Sequence, residues 1–173
     1  GQAQAGGLDI QMQRMLEEYM AFARGDSGEQ SEPVDVPALF ETLKSEAERS
    51  GHHNIVNYSG DPTVTVRPQA FKRCLGNLVD NACDFGDEVR ITGVRGDMWL
   101  TVIIDDDGPG VPAELRETVF KPFYRLDDSR NQDRGGTGLG LAIARDVARS
   151  HGGEISLSES PSGGLRVTVR MPV

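Results

Sequence analysis

Four short, oxygen-bearing side chains recur at helical spacing in the middle of the chain. They are Asn77, Asp80, Asn81 and Asp84. Residues three and four positions apart lie on the same side of a helix, so these four would share one face. Carboxylate and amide oxygens suit a hard cation with its bound waters. For this stretch alone, an ordinary acidic surface face is an equally good interpretation.

The stretch that carries these residues, 71–85, has the pattern of an amphipathic helix. Pro68 suits the first turn, where a backbone N–H needs no partner, and Gly86 can end the helix. At about 100° per residue the apolar side chains form one stripe, which we expect to face the core. The stripe consists of Phe71, Cys74, Leu75, Leu78, Val79 and Ala82.

Two further stretches combine glycines with groups that could bind a ligand. Asp105-Asp106-Asp107-Gly108-Pro109-Gly110 follows a predicted strand, which would place carboxylates at a sheet edge facing a cleft. The run 135–141 enters a helix directly, and a helix start offers an anion free N–H groups and a positive dipole end. That run follows no strand and lacks Gly-Lys-Ser/Thr, so it is neither a Rossmann fingerprint nor a P-loop.

Composition argues against nucleic acid and the membrane as partners of this chain. The 173 residues carry a net charge of −9 with no long basic run, which argues against nucleic acid as the main partner. No stretch approaches the roughly 20 apolar residues of a membrane span, and no signal peptide is evident. The chain begins on Gly-Gln-Ala-Gln, so we expect a piece of a longer protein.

The two cysteines predict a reducing environment. Cys74 and Cys83 lie about 180° apart on one helix and cannot bridge each other there. Two buried thiols without a disulfide framework are typical of a reducing compartment. Because the chain has no Cys/His spacing of the zinc type, we expect no structural metal.

The N-terminal part predicts a coiled-coil-like helix over 8–24. Its apolar residues repeat every 3.5 positions, as in a helical bundle, and are Leu8, Met12, Met15, Tyr19 and Phe22. A helix with one such seam needs a second helix from a partner or from upstream sequence, although packing on its own domain is an alternative. Because the stretch after it is polar and turn-rich, we place a linker at 26–33 and a domain at 34–173.

The remaining pattern predicts a two-layer α/β sandwich. A helix capped by Asp35 runs to about Arg49 and is followed by strands at 53–58 and 63–66 around a turn. The helix 71–85 precedes a hairpin, 88–94 with 99–104. A short helix is expected at 112–119, a helix at 137–150 and a last hairpin at 154–171. A mixed sheet of about five strands packed by three helices fits this order.

The motifs are far more specific in combination. In order, they are Asn-x-x-x-Asn-Ala (77–82), Asp-x-Gly-x-Gly (106–110), Phe-x-Pro-Phe (120–123) and Gly-x-Gly-x-Gly (136–140). This series resembles the N, G1, F and G2 boxes of the GHKL, or Bergerat-type, ATP-binding domain of sensor histidine kinases. The chain looks most similar to EnvZ-type kinases of two-component systems. The resemblance covers roughly 34–173, and 8–24 resembles the second helix of the preceding dimerisation domain.

The resemblance implies that the chain binds ATP and Mg²⁺. Asn81 would hold Mg²⁺ through its amide oxygen, while Asn77 and Asp80 orient metal-bound water, which makes these three the catalytic set. Asp106 would accept a hydrogen bond from the adenine amino group, although without the Gly-x-Gly beside it an Asp of a strand-end turn would be the better interpretation. Phe85 would pack on adenine, and its alternative interpretation is a core residue at a helix end. The implied nucleotide-binding residues are Asn81, Asp84, Phe85, Asp106, Gly108, Gly110, Val111, Arg125, Leu126, Gly136, Thr137, Gly138, Leu139, Gly140 and Leu141.

The long polar segment 121–136 has the composition of a lid. Arg125 and the backbone amides of 137–141 would meet the phosphates, and the segment 124–136 would become ordered with ATP. Phe120 and Phe123 would anchor the hinge of the lid rather than touch ligand. His151 is expected to end a helix without a catalytic role.

Two departures from the family pattern matter. Asp84 stands where the family usually has Lys or Arg, which removes a cation near the phosphates. The phosphoacceptor motif, a His followed by an acid, is absent, since His52-His53-Asn54-Ile55 follows the linker and does not match it.

The resemblance implies a catalytic domain that transfers the ATP γ-phosphate to a histidine on the dimerisation domain. Two alternatives remain: a GHKL ATPase of another class, or a degenerate module that binds nucleotide or a partner. We expect homodimerisation in the full-length protein, a response regulator as partner, and no nucleic acid or direct membrane contact by this segment. The location expected is cytoplasmic, in a protein of the bacterial inner membrane.

Overall fold

A computed structural model describes residues 28–124 and 139–173, together with Gln13, Leu16, Glu17 and Met20. These four residues are helical and exposed, as expected within 8–24, whereas the apolar residues of the predicted seam lie outside the described part. No helix within the described part is both long and apolar enough to cross a membrane.

The described elements are seven strands and three helices, together with two short 3₁₀ turns. They are β1 Glu32–Asp35, α1 Val36–Arg49, β2 His53–Ser59, β3 Thr63–Val66, α2 Pro68–Phe85, β4 Glu88–Arg95, β5 Trp99–Asp106, α3 Gly140–Ser150, β6 Glu154–Glu159 and β7 Leu165–Pro172. Two short 3₁₀ turns, Ala113–Leu115 and Thr118–Phe120, replace the single helix predicted for 112–119.

Five strands form a mixed sheet in the order β2-β4-β5-β7-β6. Strand β2 runs parallel to β4, while the other neighbours, including the hairpins β4–β5 and β6–β7, are antiparallel. Side chains on one face of the sheet are buried beneath the helices, as at Ile91, Leu100 and Val167. The predicted two-layer α/β sandwich is therefore confirmed.

Strand pairing differs from expectation at the N-terminal side of the domain. Strands β2 and β3 flank the predicted turn at 59–62 but do not pair with each other. Instead, β3 pairs with β1, whose first two residues had been interpreted as the end of the linker. Local turn signals indicate that a chain reverses, but they do not specify which strand becomes the neighbour.

Helix α2 buries its predicted apolar stripe against both the sheet and α3. All six residues of the stripe are buried, and Cys74 lies against the start of α3, with its Sγ 3.5 Å from the carbonyl oxygen of Ala144. Gly86 ends α2, but its φ of −119° is not left-handed. A side chain there would instead meet Asp107 Oδ1 at 2.8 Å, so a close approach explains this glycine.

A carboxylate from far upstream caps the N-terminus of α2. The N-cap residue, Arg67, makes no side-chain capping bond. The backbone N–H groups of Gln69 and Ala70 donate to the two oxygens of Glu29, at 2.8 and 3.1 Å. Free N–H groups and the helix dipole both favour a negative charge at this position. The segment interpreted as a linker therefore reaches the helix that carries the candidate site.

Replacing Glu29 with alanine is expected to lower the free energy of unfolding by about 1 kcal/mol, the usual cost of losing an N-terminal cap. Urea unfolding followed by circular dichroism measures it. Glu32→Ala is the matched control, because Glu32 is exposed and makes no side-chain bond to the described residues. Equal midpoints for the two variants would contradict the capping role.

Candidate nucleotide site

The polar face of α2 meets the start of α3 at Asn77. A Cβ at Gly140, the first residue of α3, would lie 3.7 Å from the Cβ of Asn77, so the two backbones approach closely. Asn77, Asn81 and Asp84 are all half-buried. The structure thus brings the first and last of the four sequence motifs together, with Asn77 beside the start of a helix.

Asp80 belongs to a different neighbourhood on the same helix. Partial desolvation, followed by the charge of Glu46 on α1, raises the pKa of the Asp80 carboxyl, while His52 lowers it, although the side chain still reaches the surface. The four oxygen-bearing residues expected on one face are therefore divided: Asp80 turns toward α1, and Asn77 turns toward α3.

Asp106 is buried at the end of β5 with one carboxylate oxygen already occupied. The backbone N–H groups of Gly108 and Leu165 donate to Oδ1 at 2.9 and 3.1 Å, and the residue is only 3% exposed. Burial raises the pKa of its carboxyl, and the two backbone bonds partly oppose that shift. Neither bond uses Oδ2. A ligand N–H donor could therefore bind Oδ2, and the partly desolvated carboxylate would gain from it.

The two neighbouring aspartates have structural partners instead. Asp105 pairs with Arg166 on β7 through both carboxylate oxygens, at 2.8 and 3.0 Å. Asp107 Oδ1 accepts from the backbone N–H groups of Asp87 and Glu88, and the bond from Glu88 is the largest cause of the lowered pKa of Asp107. Among the three consecutive acids, Asp106 is the one that is buried and also keeps a carboxylate oxygen outside these bonds.

Glycines close the site around Asp106. A Cβ on Gly108 would overlap the carbonyl oxygen of Phe85 and lie 2.8 Å from its carbonyl carbon, so the second motif abuts the end of α2. Gly110 has a φ of +76°, which favours glycine, and it faces Gly164 of the last hairpin. Phe85 and Val111 are half-buried beside these turns.

The Phe-x-Pro-Phe motif divides into a buried and an exposed half. Phe120 is 7% exposed and lies under the guanidinium of Arg145, 4.6 Å from the ring centre, while Arg145 pairs with Glu117 at 2.6 Å. Phe123 is 45% exposed and has a φ of 69°, an uncommon backbone conformation for this residue type. Both had been expected to anchor a hinge, yet only Phe120 is packed inside.

Part of the predicted phosphate-binding region lies outside the described residues. This holds for Arg125, Leu126, Gly136, Thr137 and Gly138, and for residues 125–136 of the predicted lid. Three of the predicted phosphate-binding residues are described. Leu139 is fully buried as the N-cap residue of α3, and Gly140 and Leu141 form the half-buried first turn of that helix. His151 ends α3 as expected, and its Nε2 accepts from the backbone N–H of Arg67 at 3.1 Å.

Sequence reasoning missed the contribution of the last hairpin. Leu165 supplies one of the two amides on Asp106, and the Ser162 hydroxyl donates to the backbone oxygen of Asp106 at 3.0 Å. The sequence signalled only a turn there, through Pro161, Gly163 and Gly164. No local pattern indicates that this turn lies against an acid more than fifty residues earlier.

A metal ion at this site would depend on amide oxygens. Within the described part of the chain, no group of three His, Cys, Asp or Glu residues is placed to hold a metal. The half-buried amides of Asn77 and Asn81 offer oxygen ligands, which suit Mg²⁺ when ligand phosphates and water complete its coordination. The donor set therefore fits a cation that arrives with a nucleotide.

This fold and arrangement define an ATP-binding domain, and comparison with known proteins agrees. The family described as "Histidine kinase-, DNA gyrase B-, and HSP90-like ATPase" matches residues 66–173. The chain belongs to this family. The ATP-binding domain of PrrB from Mycobacterium tuberculosis superimposes with a TM-score of 0.66 and 30% sequence identity, covering 83% of this chain and 97% of that one.

Two curated relatives specify the class further. The sensor histidine kinase GtrS of Pseudomonas aeruginosa is 41% identical over 147 residues, covering 85% of this chain and 30% of the relative. The sensor histidine kinase CpxA of Escherichia coli K12 is 40% identical over 130 residues, covering 74% of this chain and 28% of the relative. The predicted class, a sensor histidine kinase ATP-binding domain, is confirmed. The chain spans less than a third of the length of either relative.

Proposed function

We propose that this domain binds ATP and presents its γ-phosphate to a histidine on a dimerisation domain, for signalling to a response regulator. The observation that carries the proposal is the buried Asp106, held by two backbone amides with Oδ2 free for an adenine amino group. Family membership and the similarity to sensor histidine kinases support the same reaction.

The proposed site residues form one group that contacts the adenine base and another that contacts the phosphates and their Mg²⁺. Asp106 accepts from adenine, Gly108 and Gly110 let the backbone close on the base, and Phe85 and Val111 line it. Asn81 holds Mg²⁺ through its amide oxygen, with Asn77 and Asp80 orienting its water, although the position of Asp80 beside α1 favours Asn77 in that role. The proposed phosphate contacts are Arg125 and the backbone amides of 137–141, and Leu126 and Gly136 are further proposed nucleotide-binding residues.

The contribution of this chain to catalysis is positioning. When bound, Mg²⁺ neutralises charge on the phosphates. The chain's own residues orient adenine at Asp106 and offer the amides at the start of α3 to the phosphates. No covalent step on this domain is needed, because phosphoryl transfer relies on alignment and charge stabilisation.

The test is whether the chain binds ATP but does not phosphorylate itself on histidine. None of its three histidines suits the acceptor role, since His151 ends α3, His52 immediately precedes β2, and His53 begins β2, both without the adjacent acid. The chain is incubated with γ-labelled ATP, with and without a separate polypeptide that carries the missing acceptor helix. Label on that polypeptide alone is expected, because the helix predicted at 8–24 would provide its docking seam.

Acid and base treatment then identify the product, because phosphohistidine is acid-labile. Acid-labile label on the isolated chain would contradict the proposal and make His52, His53 and His151 acceptor candidates again. A failure to bind ATP would instead favour the degenerate binding module. Steady hydrolysis without transfer would favour a GHKL ATPase, although that class uses a Glu on the helix matching α2, and α2 contains none.

Asp84 provides a test of where the phosphates bind. Asp84→Lys is expected to tighten ATP binding more than adenosine binding, because a change from −1 to +1 acts on the charge of the ligand. Calorimetric titration with both ligands measures the difference. Asp87→Lys is the control, since Asp87 is exposed beyond the end of α2. Equal effects of Asp84→Lys on the two ligands would place residue 84 away from the phosphates.

The wider setting follows from the same proposal. Residues 1–25 would be the last helix of a dimerisation domain, 26–33 a linker and 34–173 the catalytic domain. The full-length protein would be a homodimer of the bacterial inner membrane, with this domain on the cytoplasmic side. The strand at Glu32–Asp35 and the cap at Glu29 attach the end of that linker to the catalytic domain.

A further inference from the structure

The turn that joins β6 and β7 and the residue that follows it, Leu165, each make a bond to the same residue. The turn runs from Ser160 to Gly164 and closes on itself, with the Ser160 N–H donating to the Gly164 oxygen at 2.8 Å and the Gly163 N–H to the Ser160 oxygen at 2.9 Å. The outward bonds converge on Asp106. Leu165 N–H reaches Oδ1, and the Ser162 hydroxyl reaches the backbone oxygen, at 3.1 and 3.0 Å.

The position of Ser162 is set by a second serine. The hydroxyls of Ser160 and Ser162 lie 2.8 Å apart, and the Ser162 N–H donates to the Ser160 hydroxyl oxygen at 3.2 Å. Because Ser160 is only 3% exposed, this pair is anchored from inside the fold. The bond from Ser162 to Asp106 is therefore prearranged.

Space around Asp106 is also controlled by this turn. A Cβ on Gly164 would overlap both the Oδ1 and the backbone oxygen of Asp106, and it would lie 2.6 Å from the Gly108 nitrogen. The turn thus holds the backbone of Asp106 through Ser162 and approaches the adjacent loop closely at Gly164, while Leu165, the first residue of β7, binds Oδ1 together with Gly108. Rotation of the carboxylate would break the bonds to Oδ1, so Oδ2 keeps one direction.

We propose that Ser162 is a positioning residue for base recognition, which sets the selectivity of the site for a purine with a 6-amino donor. This inference rests on the proposed ATP site and adds to it a residue outside the four motifs. A fixed acceptor discriminates best between ligands that present a donor at that point and ligands that do not. If the turn loosens, Asp106 can reorient, and the advantage of the 6-amino group shrinks.

The experiment compares two ligands and four proteins. Calorimetry measures the dissociation constants of ATP and of the purine triphosphate that carries hydrogen in place of the 6-amino group. The proteins are the wild type, Ser162→Ala, Ser162→Thr and the control Ser156→Ala. Ser156 is exposed on β6 of the same hairpin and makes no side-chain hydrogen bond within the described part of the chain.

Ser162→Ala is expected to weaken ATP binding roughly three- to tenfold, the range for one neutral hydrogen bond, with little change for the 6-hydrogen analogue. Ser162→Thr keeps a hydroxyl and should restore the preference, and Ser156→Ala should leave both constants unchanged. Equal weakening of both ligands by Ser162→Ala, or no change in either, would overturn the inference while the ATP site stands. A wild-type chain that binds neither ligand would refute the ATP site and this inference with it.

Discussion

Asp106→Asn is expected to weaken ATP binding by about 2–4 kcal/mol while the domain stays folded. In the wild type, Oδ1 accepts from Gly108 and Leu165, which leaves Oδ2 for the adenine amino group. Asparagine can keep those two bonds only by placing its oxygen at Oδ1. Its NH₂ group would then face the amino group of adenine, and two donors would oppose each other.

The fold should tolerate this substitution. Burial raises the pKa of the Asp106 carboxyl above its value in the unfolded chain. The stability that this carboxyl contributes is therefore fully present at a pH below the unfolded-state pKa, and it is lost as the pH rises through the folded-state pKa. At neutral pH, removing the charge therefore removes a desolvation cost rather than a support.

Calorimetry with ATP and urea unfolding measure the two effects of Asp106→Asn separately. Asp97→Asn is the control, because Asp97 is exposed at the tip of the β4–β5 hairpin. In the wild type, ATP affinity should also fall as the pH drops through the raised pKa, since protonation neutralises the acceptor. Unchanged ATP affinity in Asp106→Asn would remove this carboxylate from the site.

Gly108→Ala is expected to abolish measurable ATP binding and to destabilise the domain by about 1–3 kcal/mol, the usual cost of overpacking. The added methyl group would overlap the carbonyl oxygen of Phe85 and lie 3.2 Å from Asp106 Oδ1. The obstacle at Phe85 is backbone, which cannot change rotamer, so either the end of α2 or the loop after β5 must move.

Gly96→Ala is the matched control for Gly108→Ala. A Cβ there would meet its nearest neighbour, the Trp99 oxygen, at 3.7 Å, an ordinary contact. Thermal unfolding and ATP titration of both variants separate a general effect of alanine from the specific overlap. Wild-type ATP affinity in Gly108→Ala would show that the loop after β5 does not close on the base.

The sequence by itself determined the elements whose signals are local. The 3.6-residue period of α2 predicted its buried stripe, because each residue's place on a helix follows from its number. Asp35 predicted the start of α1, where its carboxylate accepts from the Ala38 N–H at 3.1 Å. Turn residues predicted both antiparallel hairpins, and the spacing of the four motifs indicated the ATP-binding class.

Tertiary structure alone decided how these elements meet. Nothing local pairs β2 with β4 or β1 with β3, and nothing local places Glu29 on the N-terminus of α2. Likewise, the spacing of Asn77 and Asp80 places them on the same helix face, yet their environments differ. Asn77 lies beside α3, whereas Asp80 lies near Glu46 of α1.

The orientation of Asp106 is the clearest case of this division. Its place at a strand end beside glycines was visible in the sequence, and one of the two amides on its Oδ1 comes from Gly108 of the same motif. The other amide, from Leu165, and the Ser162 hydroxyl on its backbone oxygen belong to another hairpin. Periodicity and turn chemistry are properties of a few consecutive residues. Contacts between distant segments arise only when the sheet brings β5 and β7 side by side, so the direction of the carboxylate depends on the fold as well as on the local bond from Gly108.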